Sequence, residues 1–199
     1  CRRNMRDNTQ IHKVIFLGDL GAGKTAIFNR YVYNEYQEPE YEPVVGVPFP
    51  NVSVQLEDRT VTLQFWDTAG QEKYRALPPM YVRCASAAVI VYDTTIRKSF
   101  EAVKEWVAFT KEHSPKAEEV MLCLVGSKAD MKAEREVTLE EGQAEADRLG
   151  ATFMEVSAKE DTNIDELFRM IATSLVDREE DGLDINQNDS GLDGTGCGC

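Results

Sequence analysis

An eight-residue stretch near the start of the chain has the composition of a phosphate-binding loop. Gly18–Thr25 reads GDLGAGKT and matches the pattern G-x-x-x-x-G-K-[ST]. In such a loop, successive backbone N–H groups and the dipole of the following helix bind phosphate oxygens. Lys24 is predicted to reach the β- and γ-phosphates of a nucleotide, and the Thr25 hydroxyl to bind Mg²⁺. The other positions expected to line the nucleotide are Gly18, Asp19, Gly21, Ala22, Gly23 and Ala26.

This assignment has an alternative, because a chance glycine-rich turn can match the same pattern. A buried strand before the loop and a helix after it favour the phosphate loop. The pattern alone does not distinguish ATP from GTP.

A second polar stretch, Trp66–Glu72 (WDTAGQE), follows an apolar run. Asp67 closes that run, where a carboxylate can hold a metal ion through a water molecule. Gly70 lacks a Cβ, so its N–H can approach a γ-phosphate closely. Gln71 can orient an attacking water, so Gln71 and Lys24 are the predicted catalytic residues. The alternative is an ordinary strand-to-helix turn with a solvated carboxylate.

Apolar runs that alternate with helical patterns position these residues. The predicted strands are Val14–Gly18, Val52–Leu56, Val61–Trp66, Ala87–Tyr92, Val120–Val125 and Thr152–Val156. The predicted helices are Thr25–Tyr33, Ser99–Glu112, Leu139–Leu149 and Ile164–Val176, the last with a capping box at Thr162 and Asp165. This alternation predicts an α/β fold whose six-stranded sheet is mostly parallel, with one antiparallel strand and helices on both faces. In such sheets, ligands bind beyond the carboxyl ends of the strands, where both polar stretches lie.

Two later motifs follow strand ends and complete a resemblance. Ser127–Asp130 (SKAD) resembles the guanine-reading motif Asn-Lys-x-Asp, and Glu155–Lys159 (EVSAK) resembles a Ser-Ala-Lys loop. With these motifs the chain resembles the small GTPases of the Ras superfamily over about Val14 to Val176. The resemblance implies the P-loop small GTPase fold, GTP or GDP as ligand, and Mg²⁺ held by Thr25 and Asp67.

The resemblance also implies how a guanine base is bound. Asp130 accepts from the two N–H groups on the pairing edge of guanine, and the stem of Lys128 packs along the base. The N–H of Ala158 donates to the guanine carbonyl. The matching positions add Ser127, Ser157, Lys159 and Tyr36 to the expected base site, and Val44 and Gly70 to the phosphate side. The implied activity is that of a slow GTP phosphohydrolase, stimulated by an activating protein.

Within the superfamily the chain resembles the Rab branch. WDTAGQEKYRALPPMYVR and AAVIVYD are similar to Rab sequences, and LPPMY, SKADM and FMEVSAK are similar to early-endosomal Rabs. The ending Cys197-Gly198-Cys199 resembles a double geranylgeranylation signal; alternatives are a free thiol pair or a weak metal site. The resemblance implies a prenyl-anchored switch on the cytoplasmic face of endosomal or other vesicle membranes, with a cytosolic pool. Its implied partners are effectors, exchange factors, GTPase-activating proteins and escort or dissociation-inhibitor proteins.

Two positions depart from the family pattern. Val44 stands where the family has a threonine that gives Mg²⁺ a hydroxyl ligand, and Ser127 stands where it has asparagine. Valine keeps the shape and the backbone donor of threonine but not the ligand, so GTP hydrolysis is predicted to be slowed. Serine has fewer hydrogen-bonding groups than asparagine, so affinity is predicted to fall while Asp130 keeps guanine selectivity. A competing reading is a GTP-binding scaffold with little or no hydrolysis; a P-loop ATPase or nucleotide kinase leaves Asp130 unexplained.

Composition sets the remaining expectations. The net charge of -13 argues against nucleic acid, whose binding requires clustered Lys and Arg. The five cysteines form no disulfide pattern, which is typical of a reduced, cytosolic protein, and Cys84 and Cys123 are expected to be buried. We expect a monomer with a flexible N-terminal extension at residues 1–10, a GTPase domain at 11–176, and a disordered tail at 177–199.

Overall fold

The computed structural model describes residues 11–36, 48–67, 82–115 and 117–188, with residues 48, 49, 67, 117 and 179–188 through their backbone alone. Val44, Gly70, Gln71, Cys197 and Cys199 lie outside the described residues, so the roles assigned to them stay predictions.

The described chain alternates strands with helices. The strands are β1 (Ile11–Leu17), β2 (Pro48–Gln55), β3 (Thr60–Asp67), β4 (Ala87–Asp93), β5 (Met121–Ser127) and β6 (Thr152–Glu155). The helices are α1 (Lys24–Tyr33), α2 (Arg97–Glu101), α3 (Val103–His113), α4 (Leu139–Leu149) and α5 (Ile164–Asn188). One 3-10 turn, Ala117–Glu119, precedes β5.

All six strands form one sheet in the order β2-β3-β1-β4-β5-β6. Among the described strands, β2 alone runs antiparallel to its neighbour, β3, and the other pairings are parallel. The central strands β4 and β5 are buried at every position, which is why they are continuous apolar runs. The predicted fold, a mostly parallel six-stranded sheet with one antiparallel strand, is confirmed.

The core lies on both faces of the sheet because successive side chains of a strand point to opposite sides. Val14 and Phe16 of β1 belong to one cluster, which includes Phe28 of α1 and Phe168 of α5. Their neighbours in β1, Ile15 and Leu17, belong to a second cluster with residues of α3 and α4. Strand β1 is therefore fixed from both sides, and the loop that follows it starts from a rigid position.

Four local expectations were wrong. The predicted helix Ser99–Glu112 is two helices, α2 and α3, that meet at Ala102. The last helix does not end at Val176 but continues to Asn188. The observed capping box is Thr138 with Glu141 at the start of α4, whereas Thr162 forms a backbone bridge with Ser157. Cys84 is exposed, although Cys123 is buried as expected.

No helix in the described part of the chain is both long and apolar enough to cross a membrane.

Candidate functional site

Parallel strands bring the ends of β1, β4, β5 and β6 to one edge of the sheet. The predicted phosphate loop follows β1, the SKAD motif starts in the last residue of β5, and the Ser-Ala-Lys loop follows β6. This is the edge where ligands bind in open α/β sheets. Three motifs that lie far apart in sequence are thus neighbours in the fold.

The phosphate loop depends on glycine at its first position. Gly18 has φ +139°, and a Cβ built there would lie 2.1 Å from the carbonyl oxygen of Val91 in β4. No other residue type can bring the loop this close to the neighbouring strand. Gly21 and Gly23 also have positive φ, of 80° and 96°. The loop therefore has the closely packed backbone of an anion cradle, which fits a nucleotide phosphate.

Lys24, the first residue of α1, lies in this cradle. Its side chain is buried, and its Nζ donates to the carbonyl oxygens of Gly18 at 2.7 Å and Asp19 at 2.9 Å. The loop's own backbone thus fixes the position of the ammonium group. A cation held there can neutralise phosphate charge, as the motif predicts.

The two metal ligands predicted from the sequence lie at the start of α1 and at the end of β3. Thr25 is half-buried in the first turn of α1. Asp67 ends β3 and is paired with Phe16 of β1, so its backbone lies beside the strand that leads into the phosphate loop. A hydroxyl and a carboxylate are oxygen ligands of the kind that Mg²⁺ prefers. These residues fit a site at which Thr25 and Asp67 would hold Mg²⁺ and the ion would neutralise phosphate charge.

The two predicted base-binding loops are joined by direct hydrogen bonds. The Ser157 hydroxyl donates to Oδ1 of Asp130 at 2.7 Å and accepts from the N–H of Glu160 at 3.0 Å. The N–H of Ala129 donates to the carbonyl oxygen of Val156 at 3.1 Å. Asp130 is therefore held in one orientation by the neighbouring loop, as a carboxylate that reads a base must be.

Ser127 connects the base loop to the phosphate loop. Its hydroxyl lies 2.5 Å from the carbonyl oxygen of Ala22 and 3.0 Å from that of Tyr92. The hydroxyl of Ser127 thus makes the contact between the two loops itself. The Ser127 hydroxyl has a single proton, which a backbone carbonyl oxygen accepts. Unlike the amide of asparagine, it therefore has no further donor for the base.

Sequence reasoning missed a residue of α1 that holds the Ser-Ala-Lys loop. Arg30 donates from Nε to the carbonyl oxygen of Ala158 at 2.7 Å and from Nη2 to that of Lys159 at 3.4 Å. Ala158 is also buried. An arginine on a helix gives no local signal for such a contact, since its partner is more than a hundred residues away.

Two further contacts at this edge were also missed. Trp106 of α3 donates from Nε1 to Oδ1 of Asp19 in the phosphate loop at 3.2 Å. Asp93, the last residue of β4, forms an ion pair with Lys128 at 2.5 Å. Asp93 had a usable signal, because it follows the apolar run AAVIVY as Asp67 follows its own strand.

Tyr36 is the last described residue before residue 48. It lies two residues past Asn34, the C-cap of α1, and is half-buried against the cluster that contains Phe28. Its predicted contact with the base stays a prediction.

A protein-family model matches most of this chain. The model described as Ras, Ras family, matches residues 13–177. The matched range starts within β1 and ends within α5, so it includes all three loops of the candidate site.

Proposed function

The chain belongs to the Ras family, and on that premise we propose that it is a Rab-like GTPase that recruits effector proteins to vesicle or endosomal membranes. Proteins of this family are small GTPases that bind GTP and GDP, generally with Mg²⁺, and switch between nucleotide-dependent states with regulator and effector proteins. One observation carries the proposal. The phosphate loop that holds Lys24 and the hydrogen-bonded pair Asp130 and Ser157 lie at the same edge of the sheet.

The proposed chemistry is phosphoryl transfer to water without a covalent intermediate. Lys24 would neutralise charge on the β- and γ-phosphates, and Thr25 and Asp67 would place the metal ion. Gln71 would orient the attacking water, so hydrolysis depends on positioning and electrostatics rather than on a nucleophilic side chain. The proposed low intrinsic rate and stimulation by an activating protein are what the resemblance to small GTPases implies.

A second candidate function is a GTP-binding scaffold that hydrolyses GTP poorly. Val44 favours it, because its side chain cannot give Mg²⁺ the hydroxyl that threonine would supply. A switch responds to GTP only through contacts that differ between the GTP and GDP states. Without this ligand, the difference in effector affinity between the two states would shrink.

The membrane part of the proposal rests on Cys197 and Cys199. Residues 177–199 contain one basic residue, Arg178, among many acidic ones, so this segment offers little attraction to anionic lipids. A single lipid chain gives only marginal binding, so both cysteines would carry a geranylgeranyl group. Replacing both with serine should move the protein from the membrane fraction of cells to the soluble fraction; unchanged membrane association would count against prenyl anchoring.

Single-turnover hydrolysis of bound GTP in Mg²⁺ tests the central proposal. The full chain is compared with Val44→Thr, and Val45→Thr is the matched control, since it makes the same change at the adjacent residue. A contact with a charged group is worth about 1.5–3 kcal/mol, or roughly 10- to 150-fold in an equilibrium. We expect slow hydrolysis in the natural chain, a rate about tenfold or more higher in Val44→Thr, and no gain in Val45→Thr.

The outcomes separate the candidate functions. Absence of hydrolysis in all three proteins, with GTP bound, would support the scaffold. Bound adenine nucleotide in the purified protein, identified by chromatography after extraction, would overturn both guanine-nucleotide proposals.

A further inference from the structure

We propose that Asp93 is a positioning residue for guanine binding, and that it acts by fixing the side chain of Lys128 along the base. The proposal rests on the guanine-nucleotide site proposed above. It assigns a role to the end of β4, which the three nucleotide-binding motifs do not include.

Asp93 is a buried carboxylate whose two oxygens have separate partners. Oδ1 accepts from the N–H of Thr95 at 2.8 Å and from its hydroxyl at 2.7 Å, which fixes the carboxylate plane. Oδ2 lies 2.5 Å from Nζ of Lys128. No other partner for Oδ2 is found among the described residues. The side chain of Asp93 is 1 % exposed and that of Lys128 is 36 % exposed, so the pair joins a buried anion to the surface of the site.

The backbone of Lys128 is held by Thr94, the residue that follows Asp93. The Thr94 hydroxyl lies 3.0 Å from the carbonyl oxygen of Ser127 and 3.2 Å from that of Lys128. The Thr94 N–H also donates to the Ser127 carbonyl oxygen, at 3.2 Å. Lys128 has φ +59°, a left-handed conformation that residues other than glycine rarely adopt and that neighbouring contacts must maintain.

Lys128 is therefore held at both ends, at its carbonyl by Thr94 and at its ammonium group by Asp93. Because the ammonium group is paired with Asp93, the part of Lys128 left for the base is the methylene stem. A stem held at both ends presents a fixed apolar surface to the face of a purine ring. This surface cannot distinguish one purine edge from another, so Asp93 should affect affinity and leave edge recognition to Asp130.

Because Asp93 is proposed to act on the ring face and Asp130 on the edge, two nucleotides that differ only at the edge can separate these roles. Inosine diphosphate has the ring face of GDP but lacks the exocyclic amino group that Asp130 would bind. Dissociation constants of GDP and inosine diphosphate are measured for the full chain, Asp93→Asn and Thr94→Val. We expect both variants to bind each nucleotide about tenfold more weakly, with the ratio between the two nucleotides unchanged.

A second pair of variants tests the ion pair itself. Lys128→Met keeps an apolar stem but leaves the Asp93 carboxylate buried without a counter-charge, which is strongly unfavourable. The double variant Asp93→Asn with Lys128→Met removes both charges. We expect the double variant to bind GDP more tightly than Lys128→Met alone, by about tenfold.

Several results would overturn the proposal. These are unchanged nucleotide affinity in Asp93→Asn, a changed ratio of GDP to inosine diphosphate, or a double variant no better than Lys128→Met. A lowered unfolding temperature of Asp93→Asn with unchanged dissociation constants would show a purely structural role and would also overturn it. If the natural chain binds ADP as tightly as GDP, the proposed guanine site is itself wrong. This result differs from those that test Asp93.

Discussion

The hydroxyl oxygen of Ser127 lies 2.5 Å from the carbonyl oxygen of Ala22, so one short hydrogen bond joins the base loop to the phosphate loop. Both residues are almost completely buried. Base recognition and phosphate binding are therefore mechanically connected through a residue that departs from the family pattern.

Ser127→Ala tests this connection. The change leaves the Ala22 carbonyl oxygen without its donor, and a buried unsatisfied acceptor costs about 1–3 kcal/mol. We expect bound GDP to dissociate about tenfold faster, measured by displacement with excess unlabelled nucleotide. Ser53→Ala, at an exposed position of β2, is the control and should not change the rate. An unchanged rate in Ser127→Ala would show that the contact does not contribute to nucleotide retention.

The contact between Trp106 and Asp19 gives a second prediction. The indole N–H holds the Asp19 carboxylate toward α3, and the carboxylate has the same sign of charge as a bound phosphate. Trp106→Phe removes the donor and keeps an aromatic ring beside Phe109. We expect it to weaken GDP binding about three- to tenfold, since a hydrogen bond to a charged group is worth about 1.5–3 kcal/mol before solvent exposure reduces it.

Adding Asp19→Asn to Trp106→Phe is the control for that mechanism. The double variant lacks the charge, so its affinity should return close to that of the natural chain. If GDP binding by the double variant stays as weak as in Trp106→Phe, the loss comes from packing of α3 and not from the carboxylate.

Gly18→Ala is expected to abolish nucleotide binding and to destabilise the fold. A methyl group there would meet the Val91 carbonyl oxygen at 2.1 Å, so β1 and β4 would have to separate. The matched control is Gly150→Ala at the C-cap of α4, which also has positive φ but no atom within 4 Å of the added carbon. Gly150→Ala should cost only about 1 kcal/mol of backbone strain. Equal losses in the two variants, measured by urea unfolding, would contradict the close-approach argument.

Glu141 gives the fold a pH dependence. Its carboxylate accepts from both Nη atoms of Arg97 and from the backbone N–H of Thr138, and these contacts lower the pKa of Glu141 to about 2. Because the pKa of Glu141 is lower in the folded than in the unfolded state, its ionised carboxylate stabilises the fold above about pH 4.5. This stabilisation is lost as the pH falls toward 2. We therefore expect Glu141→Gln to be less stable than the natural chain at pH 7.

The stability difference between Glu141→Gln and the natural chain should narrow as the pH falls below about 4.5. Urea unfolding of the GDP-loaded proteins at pH 7, 4.5 and 3 measures it. Glu134→Gln, at an exposed loop carboxylate after β5, controls for the charge change. A difference that stays constant with pH would show that ionisation of Glu141 is not its source.

The sequence predicted the sheet and the motifs well because both are local signals. Continuous apolar runs such as AAVIVY predicted buried central strands, and the glycine spacing before Lys24 predicted the phosphate loop. Asp130 and Ser157 both follow strand ends, and their side chains are hydrogen-bonded.

The contacts that sequence reasoning missed join common residue types across long separations. Arg30 and Trp106 have no distinctive spacing, and each acts on a residue in another element. Asp93 follows the apolar run AAVIVY, but its partner Lys128 lies in another loop and is not indicated by that position. The break at Ala102 and the continuation of α5 to Asn188 were missed for other reasons. At Ala102 helix propensity changes little, so the local sequence gives no signal for the break. After Val176 the Asp, Asn and Gly residues are poor helix formers and predicted an earlier end of the helix.

The strand order also constrains how the protein is made. Strand β1 pairs with residues far along the chain, from Ile11 with Thr62 to Val14 with Ala87, and the base loop needs Ser157 beyond β6. A growing chain therefore cannot complete the nucleotide site until almost the whole domain has left the ribosome. Ligand at a thousand times its dissociation constant adds about 4.1 kcal/mol to stability, but only once that site exists. We expect nascent chains that end before Ser157 to gain no protection from guanine nucleotide and to depend on chaperones during synthesis.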